Sequence, residues 1–288
     1  MTPQVKPFDG PVGALVSSFD LSDDLSAQDH QSLVDAWNQH SVLVFRDQTI
    51  TPEQLLRFSR RFGGLEIHVL DQYLHHEHKE ILVVSNILEN GRNVGIPDAG
   101  RYWHTDLSYL AEPSRGSILY AIEIPEEDGQ SLGNTIWAST AAAFEALPEA
   151  RKRELSTLKA AFSLGNRFGK LVEDGNNDAS LQEHQKDLVP EVVHPVVRTH
   201  PVTGRKSIYV NEGHTIRILG MPEDESRELL QELWVHCTRE EFSYRHKWCV
   251  GDVVMWDNVP TQHLAICDYA LPQRRLLHRT TLTGDRPF

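Results

Sequence analysis

Two short segments far apart in the chain carry side chains suited to one metal ion, and a fold that uses them must bring them together. One is Trp103-His104-Thr105-Asp106; the other is the run from Gly251 to His263, Gly-Asp-Val-Val-Met-Trp-Asp-Asn-Val-Pro-Thr-Gln-His. Asp106 and His263 are 157 residues apart (263 − 106). In an extended segment residues i and i+2 point to one side, so a strand carrying His104 and Asp106 offers an imidazole and a carboxylate to the same ion. The third group then comes from a remote strand, and His263 ends a run that reads as strand. Two histidines and one carboxylate leave three positions of a non-haem Fe(II) open for chemistry.

By itself His-x-Asp is a short pattern that also occurs where nothing is bound. The C-terminal segment sharpens it. Arg275 and Arg279 follow His263 by twelve and sixteen residues (275 − 263 and 279 − 263), in a stretch that reads as a strand entered from a turn at Pro272. The two-residue period puts Arg275, Leu277 and Arg279 on one face. Two guanidinium groups on an apolar strand are costly unless they meet anions. A metal with open positions beside two such arginines calls for an anionic co-substrate and an anionic substrate.

With these residues in place, the chain resembles the taurine/2,4-dichlorophenoxyacetate dioxygenase family of Fe(II)- and 2-oxoglutarate-dependent oxygenases. The likeness runs through Ser41-Val-Leu-Val-Phe-Arg-Asp47, Arg60-Arg-Phe-Gly63, Trp103-His-Thr-Asp106, Gly133-Asn-Thr-Ile-Trp137, the His194–Arg205 stretch and the final segment. It implies a double-stranded β-helix (jelly-roll) with flanking helices. It also implies Fe(II), 2-oxoglutarate and O2 as reactants, with succinate and CO2 as co-products. His104, Asp106 and His263 take the place of the iron ligands. Arg275, with Arg274 as the neighbouring register, and Thr135 take the place of the groups that hold the distal carboxylate of 2-oxoglutarate. Arg279 and His68 match substrate-contacting positions, and Tyr73 is placed to reach the same pocket. The resemblance also makes a homodimer or homotetramer an expectation.

The bulk properties agree. The 288 residues, 40% hydrophobic, bury a substantial core, and one domain over 1–288 is expected. A net charge of −13 argues against nucleic acid and anionic membrane as partners. No apolar run reaches the length of a membrane span, and the N-terminus lacks a signal-peptide core, so a cytoplasmic protein is expected. Cys237, Cys249 and Cys267 have no metal-type spacing and read as neutral thiols.

The pattern is that of a mixed α/β chain with a β-dominated core. Helices are expected at Ser26–His40, after the Thr51-Pro-Glu-Gln cap, at Ser139–Leu147, Glu149–Phe162 and Asp224–Cys237. Asn90 to Tyr102 reads as a candidate lid loop, and 165–187 as a polar, mobile insert. His75, His76 and His78 read as an exposed loop. Outside the oxygenase class, a zinc hydrolase would leave Arg275 and Thr135 without a purpose, and a jelly-roll binding module would need no intact triad. Within the class the alternative to an anion is an amine, motivated by Asp71 near His68.

Overall fold

Strands that are apolar at every position need cover on both faces, and Val42-Leu-Val-Phe45 and Val253-Val-Met-Trp256 are of this kind. The computed structural model describes residues 3–176 and 180–288. In chain order its principal strands are β1 (Gln4–Pro7), β2 (Ala14–Ser17), β3 (Val42–Phe45), β4 (Ile81–Ser85), β5 (Gly116–Glu123), β6 (Thr135–Ser139) and β7 (Lys159–Phe162). There follow β8 (Val192–Pro195), β9 (Thr215–Ile218), β10 (Ser243–His246), β11 (Val253–Asp257), β12 (Thr261–Ala265) and β13 (Leu276–Leu282). The helices are α1 (Ala27–His40), α2 (Pro52–Ser59), α3 (Thr140–Glu145), α4 (Glu149–Leu155), α5 (Leu164–Glu173), α6 (Glu183–Lys186) and α7 (Glu223–Cys237).

A seven-stranded sheet runs β1-β2-β3-β11-β5-β13-β4, antiparallel except for β2 against β3. Its strand alternation divides the core. Leu43, Phe45, Val253 and Met255 pack with α1 and α2 around Leu33, Leu55 and Phe58. Val42, Val44, Val254 and Trp256 point the other way, onto Trp137 and Trp248 beside a three-stranded sheet, β10-β6-β12. The two sheets face each other through aromatic contacts, Trp137 lying 5.5 Å from Trp256 between ring centroids. This is the jelly-roll, and its inner face carries β12 and β13. A further sheet, β8-β7-β9, packs with α3 and α7 around Phe144, Phe162, Leu229 and Leu233.

Local signals set most boundaries. Ser26 caps α1, and Thr51 and Gln54 form the reciprocal capping box that starts α2 with Pro52 in its first turn. Two expectations are corrected, and the insert expected over 165–187 gains two helices. The helix expected over Glu149–Phe162 ends at Leu155, and its last residues are β7, paired on both edges with β8 and β9. The Ala- and Leu-rich stretch favours helix locally, but tertiary pairing overrides propensity. The polar stretch 165–187 contains α5 and α6, where Leu164, Phe168 and Leu171 form an apolar stripe; its residues 177–179 lie outside the described residues. The run ending at His263 is two strands in two sheets. Asn258-Val259-Pro260 breaks it between β11 and β12 because Pro260 has no N–H for the ladder. In addition, the loop 90–102 begins as a short hairpin, Leu88–Glu89 with Arg92–Asn93. Among the described residues no helix is long and apolar enough to cross a membrane.

Gly116, opposite Asp257 and Leu282 in the seven-stranded sheet, marks a tight point of this packing. A methyl group there would collide with the Trp37 ring and the Trp256 carbonyl oxygen. Gly116→Ala is therefore expected to destabilise the fold by about 1–3 kcal/mol, as overpacking does. A shift in the midpoint of denaturant unfolding would show it, and an unchanged midpoint would refute it.

Candidate active site

His104 lies beside β12 without being part of a strand. His104 and His263 exchange backbone hydrogen bonds of 3.1 and 2.8 Å as an isolated antiparallel pair. The chain then turns through Asp106–Tyr109, with Leu107 at φ 56°. The expected His104/Asp106 strand is thus corrected to a single bridge followed by a turn. Asn258 is the cause: its Oδ1 takes the Asp106 N–H (3.4 Å), and the ladder goes no further. Asp106 still faces the histidines. Among the described residues, His104, Asp106 and His263 are the one group of three or more His, Cys, Asp or Glu whose ligand-type atoms converge, all within 4.8 Å of one another. His75, His76 and His78 stack on each other at 4.6 and 5.2 Å but do not converge in this way.

The protonation of this group suits a cation. The His104 Nδ1 donates to the Tyr102 carbonyl (2.9 Å), which leaves Nε2 as the ring nitrogen that faces Asp106 Oδ1, 3.6 Å away, and that a metal would take. The His263 ring is buried against Trp137 and Trp256, and its Nδ1 has no partner among the described residues. Burial, then the neighbouring His104, holds His263 well below the usual imidazole range, in the neutral form a metal needs. Burial opposes the charge on Asp106, but Arg279, His263 and His104 outweigh it and the carboxyl lies well below its ordinary range. Asp106 Oδ2 accepts from Ser117 Oγ (2.7 Å), and Ser117 is held in turn by Asn258 Nδ2 (3.3 Å). Oδ1 accepts from Arg279 Nη1 (2.8 Å). These residues fit a divalent ion: two imidazole nitrogens, one charged carboxylate oxygen, and a second oxygen fixed by a hydrogen bond.

Two small cavities flank the group. One, about 30 Å3, is bordered by Thr135, Trp137, His263, Arg275 and Arg279. Arg275 is 2% exposed and has no acidic partner among the described residues. Its Nη2 reaches only the Gly133 carbonyl (3.3 Å), and its Nε has no partner. Gly133 is required here, at φ 68°, because a Cβ would press on the Arg275 side chain. Burial pulls the Arg275 pKa down from its ordinary value, so an anion is the natural complement. Thr135 Oγ1 accepts from the Trp248 indole N–H (3.0 Å), which leaves its own hydroxyl proton for an acceptor in the cavity. Arg274 points outward and pairs with Glu123 at 2.9 and 3.0 Å. Ser85 Oγ donates to the Arg275 carbonyl and the Arg275 N–H donates to Asn86, which ties this register to the end of β4.

The other cavity, about 50 Å3, is bordered by His68, Asp106, Tyr109, Arg167, His214 and Arg279. His68 and Arg279 therefore meet here. Tyr73 does not: it lies on a short turn and borders a separate cavity of about 240 Å3 with Gln72, Asn93 and Phe168. The expected Tyr73 contact is corrected, since Leu70 and Ile96 stand between the two spaces. Asp71 is exposed and pairs with His184 (3.6 Å), away from His68's cavity. Ser117, Tyr109, Arg167 and His214 were not anticipated. Ser117 had a usable signal, being a fully buried polar residue in the same register of β5 as the apolar Leu119 and Ala121. Removing its hydroxyl should weaken Mn(II) or Fe(II) binding by roughly 10-fold. Equilibrium metal titration of Ser117→Ala tests this, and wild-type affinity in that variant would count against the arrangement.

Comparison with known proteins agrees with the geometry. A family model described as taurine catabolism dioxygenase TauD, TfdA family matches residues 4–281. The chain is 33% identical to pentalenolactone F synthase of Streptomyces arenae, covering 99% of this chain and 96% of that protein. It is 35% identical to the alpha-ketoglutarate-dependent 2,4-dichlorophenoxyacetate dioxygenase of Cupriavidus pinatubonensis, covering 94% of each. With the alpha-ketoglutarate-dependent sulfate ester dioxygenase of Pseudomonas putida it shares 33% identity over 98% of this chain and 90% of that one. Among solved structures, AAD-2 in complex with Mn(II) and N-oxalylglycine superposes with a TM-score of 0.83 at 32% identity, covering 100% of this chain and 99% of that chain. A taurine dioxygenase from Burkholderia xenovorans gives 0.81 at 32% identity, covering 100% and 91%.

Proposed function

The chain belongs to the taurine catabolism dioxygenase TauD, TfdA family of Fe(II)- and 2-oxoglutarate-dependent dioxygenases, and on that premise we propose that it hydroxylates a small organic anion, a sulfonate, sulfate ester or carboxylate. In this reading His104, Asp106 and His263 hold the iron, Arg275 and Thr135 hold the distal carboxylate of 2-oxoglutarate, and Arg279 holds the substrate's anionic head. The observation that carries it is Arg275, a buried guanidinium without an acidic partner among the described residues, in the cavity that also borders His263. Its planar fork suits a carboxylate with two hydrogen bonds.

Charge balance favours an anion over an amine. Asp106 contributes −1 and Arg275 and Arg279 +1 each, and Arg167 is offset by Asp98, a sum of +1 (−1 + 1 + 1) with the ligand histidines counted in the neutral form that a metal needs. A divalent iron raises this and the 2-oxoglutarate dianion cancels it, so one positive charge remains for the substrate to meet. A low-dielectric site would be strongly disfavoured with a further cation. Asp71, the group that would have welcomed an amine, faces away.

Bound iron and 2-oxoglutarate together supply the oxidation, with O2 consumed and succinate and CO2 released. The chain's own part is binding, orientation and exclusion of water. Arg279 donates to Asp106 with one nitrogen, while its Nε has no partner among the described residues. A head group held by that guanidinium is therefore kept beside the iron ligand, which is the proximity the reaction needs. Overhead, the 90–102 loop and α5 are joined by Arg167 to Asp98 (2.8 Å) and Tyr102 to Asp174 (2.5 Å). We read this pair of elements as the cover that keeps water out.

Oxygen uptake and succinate formation, measured with Fe(II) and 2-oxoglutarate against sulfonates, sulfate esters, aryloxy- and alkyl-carboxylates and amines, should give coupled turnover with an anion. Turnover of amines alone would overturn the substrate reading. Arg275→Ala should raise the 2-oxoglutarate requirement about 100-fold, the loss of a buried charge pair costing about 3 kcal/mol. Arg274→Ala should leave it within about threefold, and the reverse order would reassign the site.

A further inference from the structure

The side chains around Arg279 supply a second donor for the head group. His68 accepts the Leu70 backbone N–H at its Nδ1 (3.1 Å). A nitrogen that accepts carries no proton, so in the neutral ring the proton is on Nε2. The His68 Nε2–H therefore donates to the Tyr109 oxygen (3.3 Å). Both nitrogens of His68 are then engaged within the protein. Tyr109 has used an oxygen lone pair and keeps its own O–H, which has no acceptor among the described residues. Its ring is 2% exposed, fixed edge-on to His214 at 4.9 Å, and borders the cavity that also borders Arg279 and Asp106.

We infer that the Tyr109 hydroxyl, oriented by His68, donates a hydrogen bond to the anionic head of the substrate, so that Tyr109 and Arg279 form the head-group subsite. This rests on the reading of the substrate as an organic anion. His68 is then a positioning residue that acts through Tyr109, although its place in the chain pointed to direct contact. The electrostatics support the assignment: burial, followed by Arg279, brings the His68 pKa down to about 3, and burial raises that of Tyr109, so neither group changes charge near neutrality. A phenol next to a guanidinium offers two donors to two oxygens of one head group. Carboxylate, sulfonate and sulfate oxygens all suit that arrangement, whereas a cationic ammonium, which has no acceptor, does not.

Isothermal titration calorimetry on the full chain with Mn(II) in place of Fe(II) and saturating 2-oxoglutarate tests this without turnover, using phenoxyacetate, hexyl sulfate and phenethylamine as probes. Tyr109→Phe should weaken the anionic probe that the wild type binds by about tenfold or more, as loss of a hydrogen bond to a charged group does. His68→Ala, which releases Tyr109 without deleting it, should weaken it less. Affinity for 2-oxoglutarate should stay unchanged in both, which also reports that the variants fold. Wild-type affinity in Tyr109→Phe would overturn the inference, and so would a larger loss in His68→Ala, because direct contact by His68 predicts that order. Binding of phenethylamine alone by the wild type would instead remove the anion reading itself.

Discussion

The site depends on one backbone pair. His104 and His263 each donate an N–H to the other's carbonyl, at 3.1 and 2.8 Å, and so join positions 159 residues apart (263 − 104). A hydrogen-bonded antiparallel pair fixes the separation and facing of its two side chains, and here the rings lie 4.1 Å apart between centroids. Around it are smaller ties: Thr105 Oγ1 to the Thr261 carbonyl (3.0 Å), Asp106 N to Asn258 Oδ1 (3.4 Å), and Gly213 N to the Trp103 carbonyl (2.9 Å). β12 itself is held in register by β6, with Trp137 opposite His263. A slip of one residue would turn His263 away from His104 and Trp137 alike. The jelly-roll therefore contributes register at a single pair, and the loop carrying Asp106 needs no strand of its own.

The second constraint is charge in a dry place. Asp106, Arg275 and Arg279 are all nearly inaccessible, and each would destabilise the fold if left alone. Asp106 and Arg279 offset one another, and Ser117 and Asn258 complete the carboxylate's hydrogen bonds. Arg275 has no ion-pair partner among the described residues; a carbonyl, the face of Tyr269 5.6 Å from its ring centre and the more distant Asp268 offset it only in part, and burial still pulls its pKa down. A fold that tolerates this gives up some stability for a site preorganised toward an anion, which fits the enzyme's use of 2-oxoglutarate.

Much of this was legible in the sequence, and the reasons are local. The capping box at Thr51, the two-residue period through Arg275 and Arg279, and the ligand types at 104, 106 and 263 are short-range patterns that survive folding unchanged. The resemblance then supplied the topology, which no periodicity gives. What could not be read was anything decided by pairing with distant residues. β7 looks helical until β8 and β9 flank it. The His104 segment looks like a strand until Asn258 ends its ladder. Tyr73 and Tyr109 are both plausible neighbours of His68 by number, and only the path of the chain brings Tyr109 to its Nε2 while Tyr73 lines another cavity.

The two halves of the site are built differently, and that difference bears on substrate choice. His263, Thr135, Arg275 and Arg279 sit on, or next to the end of, paired strands of the jelly-roll, where positions are fixed by ladders, on both sides for Thr135 and Arg279 and by β6 with the His104 bridge for His263. His68, Tyr109, Arg167 and His214 come from turns, loops and α5, where a residue can change without disturbing register. In the proposed assignment His263, Thr135 and Arg275 hold iron and 2-oxoglutarate, which need an invariant geometry, while the second set, with Arg279, borders the substrate's cavity. That separation is consistent with relatives of about one-third identity whose names include both a 2,4-dichlorophenoxyacetate and a sulfate ester dioxygenase. It also explains why Arg279 lies at the junction. Placed on β13 yet open to both cavities, it shares with Tyr109 the proposed grip on an anionic head, while Arg167 and His214 border the space left for what is attached to it.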